Sequence, residues 1–302
     1  MKKITNLFQK ELLVGDNPFH GISHLSQERA RSRSLNAASV VERADLVSKC
    51  FRNGANGFMF SVSDITLSIL HTMKQQRKID AIKLYAIIPY TFEYVRVATQ
   101  TGTPGLAKRF AKQIAKSGDV GTIFKGLKAL VRTKPKDILE TYLSYEISRI
   151  KSSAGNKANL TSVFLHEVVT DMCLALNFRW LFDSHIALMS KIGVLPGFHT
   201  RNFPYLVEKF NEWSIDLDEI LITTPFNKAG FQMNPSKTEC EQALKKFNEA
   251  NVIAISIFAS GYLKPKDAIK YISTLPSIKG VAVGVSNEHQ ATETFNLLNQ
   301  IL

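Results

Sequence analysis

The sequence predicts an α/β protein: a closed (β/α)8 TIM barrel forming a single domain over residues 1–302. Three observations predict it. Eight short, continuous apolar runs bounded by turn residues recur along the chain, as strands buried on both faces require. Amphipathic segments with helix-capping signals separate them. The length, 302 residues, is about twice the commonest domain length but suits one barrel.

The elements follow in order. The first run is Glu11–Gly15 (ELLVG). A helix then opens at the capping box Ser39-Val-Val-Glu42, where hydroxyl and carboxylate answer orphan backbone donors reciprocally. Val40, Ala44, Val47 and Phe51 repeat behind it at helical spacing, and Gly54 marks the stop. The next runs are Gly57–Ser61, Ile82–Ile88, Thr161–His166, Ile192–Phe198 and Glu219–Thr224. Ser236-Lys-Thr-Glu239 repeats the capping box, with Cys240, Ala243, Leu244 and Phe247 along one face. Val252–Phe258 and Lys279–Val285 complete the eight. Asn287-Glu-His-Gln290 opens the last helix, with Ala291, Phe295, Leu298 and Leu302 facing inward.

One segment interrupts the alternation. Val95–Lys136 is an insertion after the third run, and Gly105–Lys136 holds nine basic side chains against the single acid Asp119. Leu106, Phe110 and Ile114 form one stripe, and Lys108, Lys112 and Lys116 another. The pattern predicts a basic amphipathic helical hairpin outside the barrel. Docked on the barrel it keeps its lysines in water; the alternatives are a peripheral membrane or subunit contact through 105–136. Nucleic acid is not expected, because no recognised binding motif accompanies the charge.

Composition sets the remaining bounds. A hydrophobic share of 45% with 21% charged residues excludes disordered and low-complexity architectures. No apolar run reaches the ~18–20 residues of a membrane span. Cys50, Cys173 and Cys240 lie far apart with no CxxC pair, against a disulfide framework or structural zinc site. The basic N-terminus lacks a secretory apolar core, so a cytoplasmic location is expected. The net charge of +12 resides mostly in the insertion.

Barrel enzymes place their chemistry at the carboxyl ends of strands. Those positions carry Asp16, Asn17, His20 and His24 after the first run, Ser61, Ser63 and Asp64 after the second, and Tyr90 and Glu93 after the third. His166, Glu167 and Asp171 follow the fourth, and His199, Thr200, Arg201 and Asn202 the fifth. Thr224, Asn227, Lys228 and Gln232 follow the sixth, Ser260 and Tyr262 the seventh, and Ser286, Asn287 and Glu288 the eighth. Four of seven histidines sit at strand ends; His71, His185 and His289 fall on helices and are expected to be structural or solvated. His166, closing a buried run, is the expected proton-transfer residue, assisted by His199, Asp16 and His20. The ligand types are scattered over several strands, with no HxxxH on a helix and no HxH on a strand, so no metal is expected.

The second half has the marks of an anion site. Ala259-Ser260-Gly261 allows close backbone approach, and Val283-Gly-Val-Ser-Asn-Glu288 leads into a helix N-terminus. A small anionic substrate or a phosphate is expected over Ser260, Gly261, Ser286 and Asn287.

These residues resemble the aldo/keto reductase family. Ser256-Ile-Phe-Ala-Ser-Gly-Tyr-Leu263 is similar to its strand-seven SPLxxGxL, with Ile257 in place of proline. Gly284-Val-Ser-Asn-Glu-His-Gln-Ala-Thr-Glu293 resembles its strand-eight GxSxxxQxxE, and Thr224-Pro-Phe-Asn227 its strand-six region. The resemblance implies an NADP or NAD cofactor contacted by Asn227, Ser260, Gly261, Ser286 and Asn287. It also implies a catalytic Asp, Tyr, Lys and His, of which only His166 matches. Ser61 stands where the Asp belongs and Thr66 near the place of the Tyr; strand three ends Ala-Ile-Ile-Pro-Tyr without the Lys, and His199-Thr200 replaces the Ser-Asn pair. Carbonyl reduction by that tetrad is therefore not expected. Two readings remain: a His-centred acid–base enzyme, or a ligand-binding or assembly protein docking through the basic hairpin.

Overall fold

The computed structural model describes residues 10–21, 39–80, 82–89, 135–246 and 251–302. Eight parallel strands close into a barrel in sequence order. They are β1 (Glu11–Gly15), β2 (Gly57–Ser61), β3 (Lys83–Ile88), β4 (Asn159–Leu165), β5 (Leu195–His199), β6 (Leu221–Pro225), β7 (Val252–Ile255) and β8 (Ile278–Gly284). Closure comes from β1 pairing with both β2 and β8.

The helices among the described residues are α1 (Val40–Arg52), α2 (Asp64–Gln75), α3 (Pro135–Ala154), α4 (Glu167–Ala175), α5 (Arg179–Lys191), α6 (Phe203–Glu212), α7 (Lys237–Leu244), α8 (Pro265–Ser273) and α9 (Glu288–Ile301). Their caps are those that the sequence signals. Ser39 and Glu42 make both arms of the box that starts α1. Asn287 Oδ1 accepts from Gln290 N at the start of α9. At α7 the Ser236 hydroxyl accepts from Glu239 N and also donates to the Glu239 carboxylate, so the side chains meet each other.

Strand alternation sorts side chains between the lumen and the helix layer. Leu13, Met59, Tyr85, Phe164, Leu221, Ile253 and Ala282 pack together inside the barrel, with Leu195 against them. Gly197 makes room for Phe164: a Cβ there would lie 2.6 Å from its ring. Below this layer Glu11 meets Lys83 Nζ at 2.6 Å. Burial, with the Glu11 charge beside it, pushes the Tyr85 phenol well above its usual range. This floor is apolar and ion-paired, which leaves the opposite rim for function. Two residues beyond each inward side chain the alternation brings Gly15, Ser61, His166, His199 and Thr223 to that rim.

Several strand bounds differ from the prediction, each for a local reason. Ile192–Val194 close α5 instead of opening β5, with Gly193 turning at φ +72°. Glu219 ends a 3-10 turn at Leu217–Glu219, which delays β6. Ser256 adopts φ 54°, so β7 ends at Ile255, three residues before the expected end at Phe258. The predicted insertion overlaps the described residues only at Pro135 and Lys136, the first turn of α3. Its hairpin, like His24, Tyr90 and Glu93, lies outside the described residues.

Candidate active site

The rim above β4, β5 and β6 is built with almost no loop. His166 follows β4 directly and is the N-cap of α4. Its backbone N–H extends the β3–β4 ladder, donating to the Ile88 carbonyl at 2.8 Å. Its Nδ1 accepts from Val168 N at 3.2 Å, filling the place a Ser or Asp oxygen usually takes. A nitrogen that accepts has no proton, so the neutral ring carries its hydrogen on Nε2. Burial first, then the charges of His199 and Arg201, lower the His166 pKa to about 4. At neutral pH His166 is therefore an uncharged hydrogen-bond donor.

His199 ends β5 beside it, the two rings edge to face with centroids 5.9 Å apart. Its Nε2 lies 3.0 Å from Glu167 Oε2, and Arg201 Nη2 lies 2.6 Å from Glu167 Oε1. Burial alone would raise the Glu167 carboxyl; the nitrogens of His199 and Arg201 facing it outweigh burial and hold the group well below the usual carboxylate range. The N-terminus of α4 adds favourable dipole charge to the same carboxylate. A second carboxylate fixes the strand end. Asp171 accepts from the Thr200 hydroxyl and from Arg201 N, while burial raises its pKa.

The distinguishing feature is polar atoms without partners. Among the described residues nine buried side-chain N or O atoms have no hydrogen-bond partner in the protein, and six of them fall between His199 and Thr224. They are both ring nitrogens of His199, Arg201 Nε, Asn202 Oδ1, and the Thr223 and Thr224 hydroxyls. His199 Nε2 is within reach of Glu167, but the approach is off the ring's N–H direction, so that contact is electrostatic more than directional. His199 and Thr223 are register partners on adjacent strands, and both point inward. Native proteins rarely leave buried polar atoms unanswered, and a cluster of them needs a reason.

Asp16 and His20 stand on the β1 side. Asp16 Oδ2 accepts from Ser61 N at 2.7 Å and meets His20 Nε2 at 3.0 Å, both side chains deeply buried. The acid that strand two lacks is thus supplied to its end from β1. Thr66, near the expected tyrosine's place, is fully buried and bonded to the Ser61 carbonyl and the Ser63 hydroxyl, a local brace.

The β7–β8 rim is arranged differently. Gly261 N donates to the Phe258 carbonyl, Tyr262 N to Ala259 and Leu263 N to Phe258. Ser286 N donates to Gln290 Oε1 at 3.0 Å, and Asn287 caps α9. Asn227, in the loop after β6, is fully buried with its amide clamping both the N–H and the carbonyl of Phe231, each at 2.8 Å. A phosphate cradle needs such N–H groups pointing outward, and those of Gly261 and Ser286 are engaged internally. The Gly261 and Ser286 N–H groups are therefore not available to a nucleotide phosphate as a backbone cradle.

The other candidates are accounted for. Burial pushes the Cys50 and Cys240 thiols up to about 12, far from nucleophilic. His185 is not a bystander on its helix: it is fully buried, with Nε2 3.0 Å from the Val163 carbonyl. Among the described residues no group of three or more His, Cys, Asp or Glu could hold a metal ion. No helix among them is long and apolar enough to cross a membrane.

No protein-family model matches this chain, and no curated protein is similar to it in sequence. Solved structures do resemble it. A putative aldo-keto reductase from Pseudomonas aeruginosa superposes with a TM-score of 0.60 at 10% identity, covering 96% of this chain and 90% of its own. The holo form of an aldo-keto reductase from Bacillus halodurans gives 0.53 at 10% identity, covering 95% and 86%. This chain has the aldo/keto reductase fold. An aldo-keto reductase enzyme from a deep-sea metagenome library agrees, with a TM-score of 0.51 at 11% identity and coverage of 88% and 84%. Identities this low carry the fold alone. Within that aldo/keto reductase-like barrel, Glu167, Arg201 and Thr223 are the residues that sequence reasoning passed over as roles. Only Thr223 lacked a signal altogether, because its inward direction depends on where β6 begins.

Proposed function

We propose that this chain is an enzyme performing His-centred acid–base chemistry on a small anionic substrate at the β4–β6 rim. The observation that carries the reading is the cluster of unpartnered buried polar atoms on His199, Arg201 and Thr223 beside the uncharged His166. Arg201 has one nitrogen on Glu167 and an unpartnered Nε, which suits it to take an anionic group of the substrate. His166 offers a fixed N–H, and His199 offers ring nitrogens that nothing in the protein bonds. Asp16 and His20 close the mouth on the far side. This chemistry needs no hydride donor.

The test is thermal-shift measurement with sugar phosphates, small hydroxy acids, NADPH and NADH as separate ligands. A ligand at 100 times its dissociation constant stabilises by about 2.7 kcal/mol. We expect stabilisation by a small phosphorylated or carboxylated compound, weakened at least tenfold in Arg201→Gln. Stabilisation by NADPH or NADH alone, unchanged in Arg201→Gln, would overturn the reading in favour of a nucleotide site.

A further inference from the structure

The two rim histidines have opposite characters, and that opposition selects a reaction. His166 is locked as a donor: Val168 N–H occupies Nδ1, so Nε2–H faces away from the backbone. His199 faces a carboxylate that can only accept, which favours the proton on Nε2 and leaves a lone pair on Nδ1. That Nδ1 is buried and has no partner in the protein. His199 as a whole is only 9% exposed. Arg201 holds the other oxygen of Glu167, so the carboxylate keeps its orientation when the ring rotates or charges. Next to His199, the inward Thr223 hydroxyl is likewise unpartnered.

A donor N–H, a backed imidazole lone pair and a hydroxyl within one layer match a carbonyl with a hydroxyl on the adjacent carbon. We infer that this site catalyses proton transfer next to the carbonyl of an anionic hydroxycarbonyl compound, with His199 as base, His166 as the carbonyl's hydrogen-bond donor and Glu167 as the positioning residue for His199. The inference rests on the functional reading above and names its reaction. His199 Nδ1 takes the proton from the hydroxyl-bearing carbon. The C–H electrons form the double bond of an enediolate, and the carbonyl π pair moves to oxygen, which accepts from His166 Nε2–H. Return of that proton to the former carbonyl carbon, with the hydroxyl proton crossing between oxygens, interconverts ketose and aldose. Nothing is oxidised or reduced overall. Thr223 holds the substrate hydroxyl, and its loss leaves the two rings untouched.

The experiment has two arms, both on the full chain. In the first, 15N-histidine correlation spectra of the wild-type protein read which nitrogen carries each proton. We expect Nε2–H on both His166 and His199, with His199 becoming a tautomer mixture in Glu167→Gln while His166 is unmoved. In the second, dihydroxyacetone phosphate and ribose 5-phosphate are incubated with the protein in 2H2O and followed by proton NMR. We expect loss of the C–H signal beside the carbonyl at least ~10²-fold above the protein-free rate, as positioned general-base catalysis supplies. Glu167→Gln should lower that rate by at least tenfold with little change in thermal-shift affinity, a pattern a merely structural role would not give. Stabilisation by either sugar phosphate without deuterium exchange overturns the inference and leaves the functional reading standing. Neither stabilisation nor exchange overturns both. A wild-type His199 protonated on Nδ1 and bare on Nε2 also overturns the assignment of the base.

Discussion

The two halves of the barrel rim use the same kinds of residue to opposite ends. Above β7 and β8 the exposed turns are rich in Gly, Ser and Asn, and their hydrogen bonds close on themselves, Gly261 on Phe258 and Ser286 on Gln290; the buried Asn227 in the loop after β6 closes on Phe231 in the same way. Above β4 to β6 the side chains are more deeply buried, yet His199, Arg201 and Thr223 keep polar atoms that nothing in the protein answers. A buried unanswered group costs ~1–3 kcal/mol, so leaving several together opposes folding. Self-satisfied turns need no such explanation. Polar composition therefore does not tell the two rims apart, whereas the balance of donors and acceptors does.

The comparison can be broken most forcefully at His199. His199→Gln should lower turnover by ~10²–10⁴-fold once an activity is measured, the usual contribution of a proton-transfer group. His71→Gln is the matched control, since His71 is exposed and, among the described residues, bonded to Gln75 on its own helix. His185→Gln is unsuitable as a control because it empties a buried site. Equal rates in the His199 and His71 variants would return the β4–β6 rim to a structural role.

Acid titration of stability follows next in size. His166 and His185 both have folded pKa values lowered to about 4, from 6.5 for a free ring. Between those values the unfolded chain binds protons that the folded chain does not, so stability is full above pH 6.5 and falls as pH drops toward 4. Glu167, depressed in the fold, extends the loss below its free value of 4.5, while Asp171, raised, opposes it. Unfolding free energies from denaturant titrations at pH 7.5, 6 and 4.5 should decline by a few kcal/mol in total. Each ring loses ~1.4 kcal/mol for every pH unit crossed between its free and folded values. Replacing His166 with Gln should flatten part of that decline; an unchanged slope would show the ring to be solvated.

Asn227→Ala tests the self-satisfied rim. It strands the Phe231 N–H and carbonyl, so it should cost ~2 kcal/mol and lower the melting temperature by about 3 °C. Ligand affinity should stay within twofold of wild type. A large affinity loss at unchanged stability would mean that the loop after β6 binds ligand after all.

The smallest stability effect is expected at Thr223→Val. The hydroxyl has no partner to lose, so the isosteric change should alter stability by less than ~0.5 kcal/mol, in either direction. Ligand affinity should nonetheless fall by about five- to tenfold, measured by calorimetry. Loss of stability without loss of affinity would show that the hydroxyl is answered in solution.

Much of the architecture was legible in the residues. The apolar runs mark all eight strands because a parallel strand buried on both faces has little freedom in composition. Ser39 and Asn287 mark helix starts because their oxygens answer backbone groups a few residues away. His166 and His199 were visible as strand-end histidines. What distinguished them was not: the pKa of His166 depends on its burial and on His199, and His199 meets its carboxylate, Glu167, from the start of α4. The expectation for Gly261 and Ser286 read the freedom of a turn correctly but could not see which carbonyls its N–H groups would meet.

The sequence by itself determined the period of the chain, eight strands and their helices, because burial and capping act between residues close in sequence. It also determined which residue types reach the rim, since they follow the apolar runs. The tertiary structure alone decided that Asp16 reaches Ser61, that Glu167 links His199 to Arg201, and that Thr223 faces inward beside His199. Those contacts join different strands, and their chemistry depends on distances of about 3 Å that a linear order does not contain. Barrel closure and register set those distances, and with them which polar atoms are answered and which remain for a ligand.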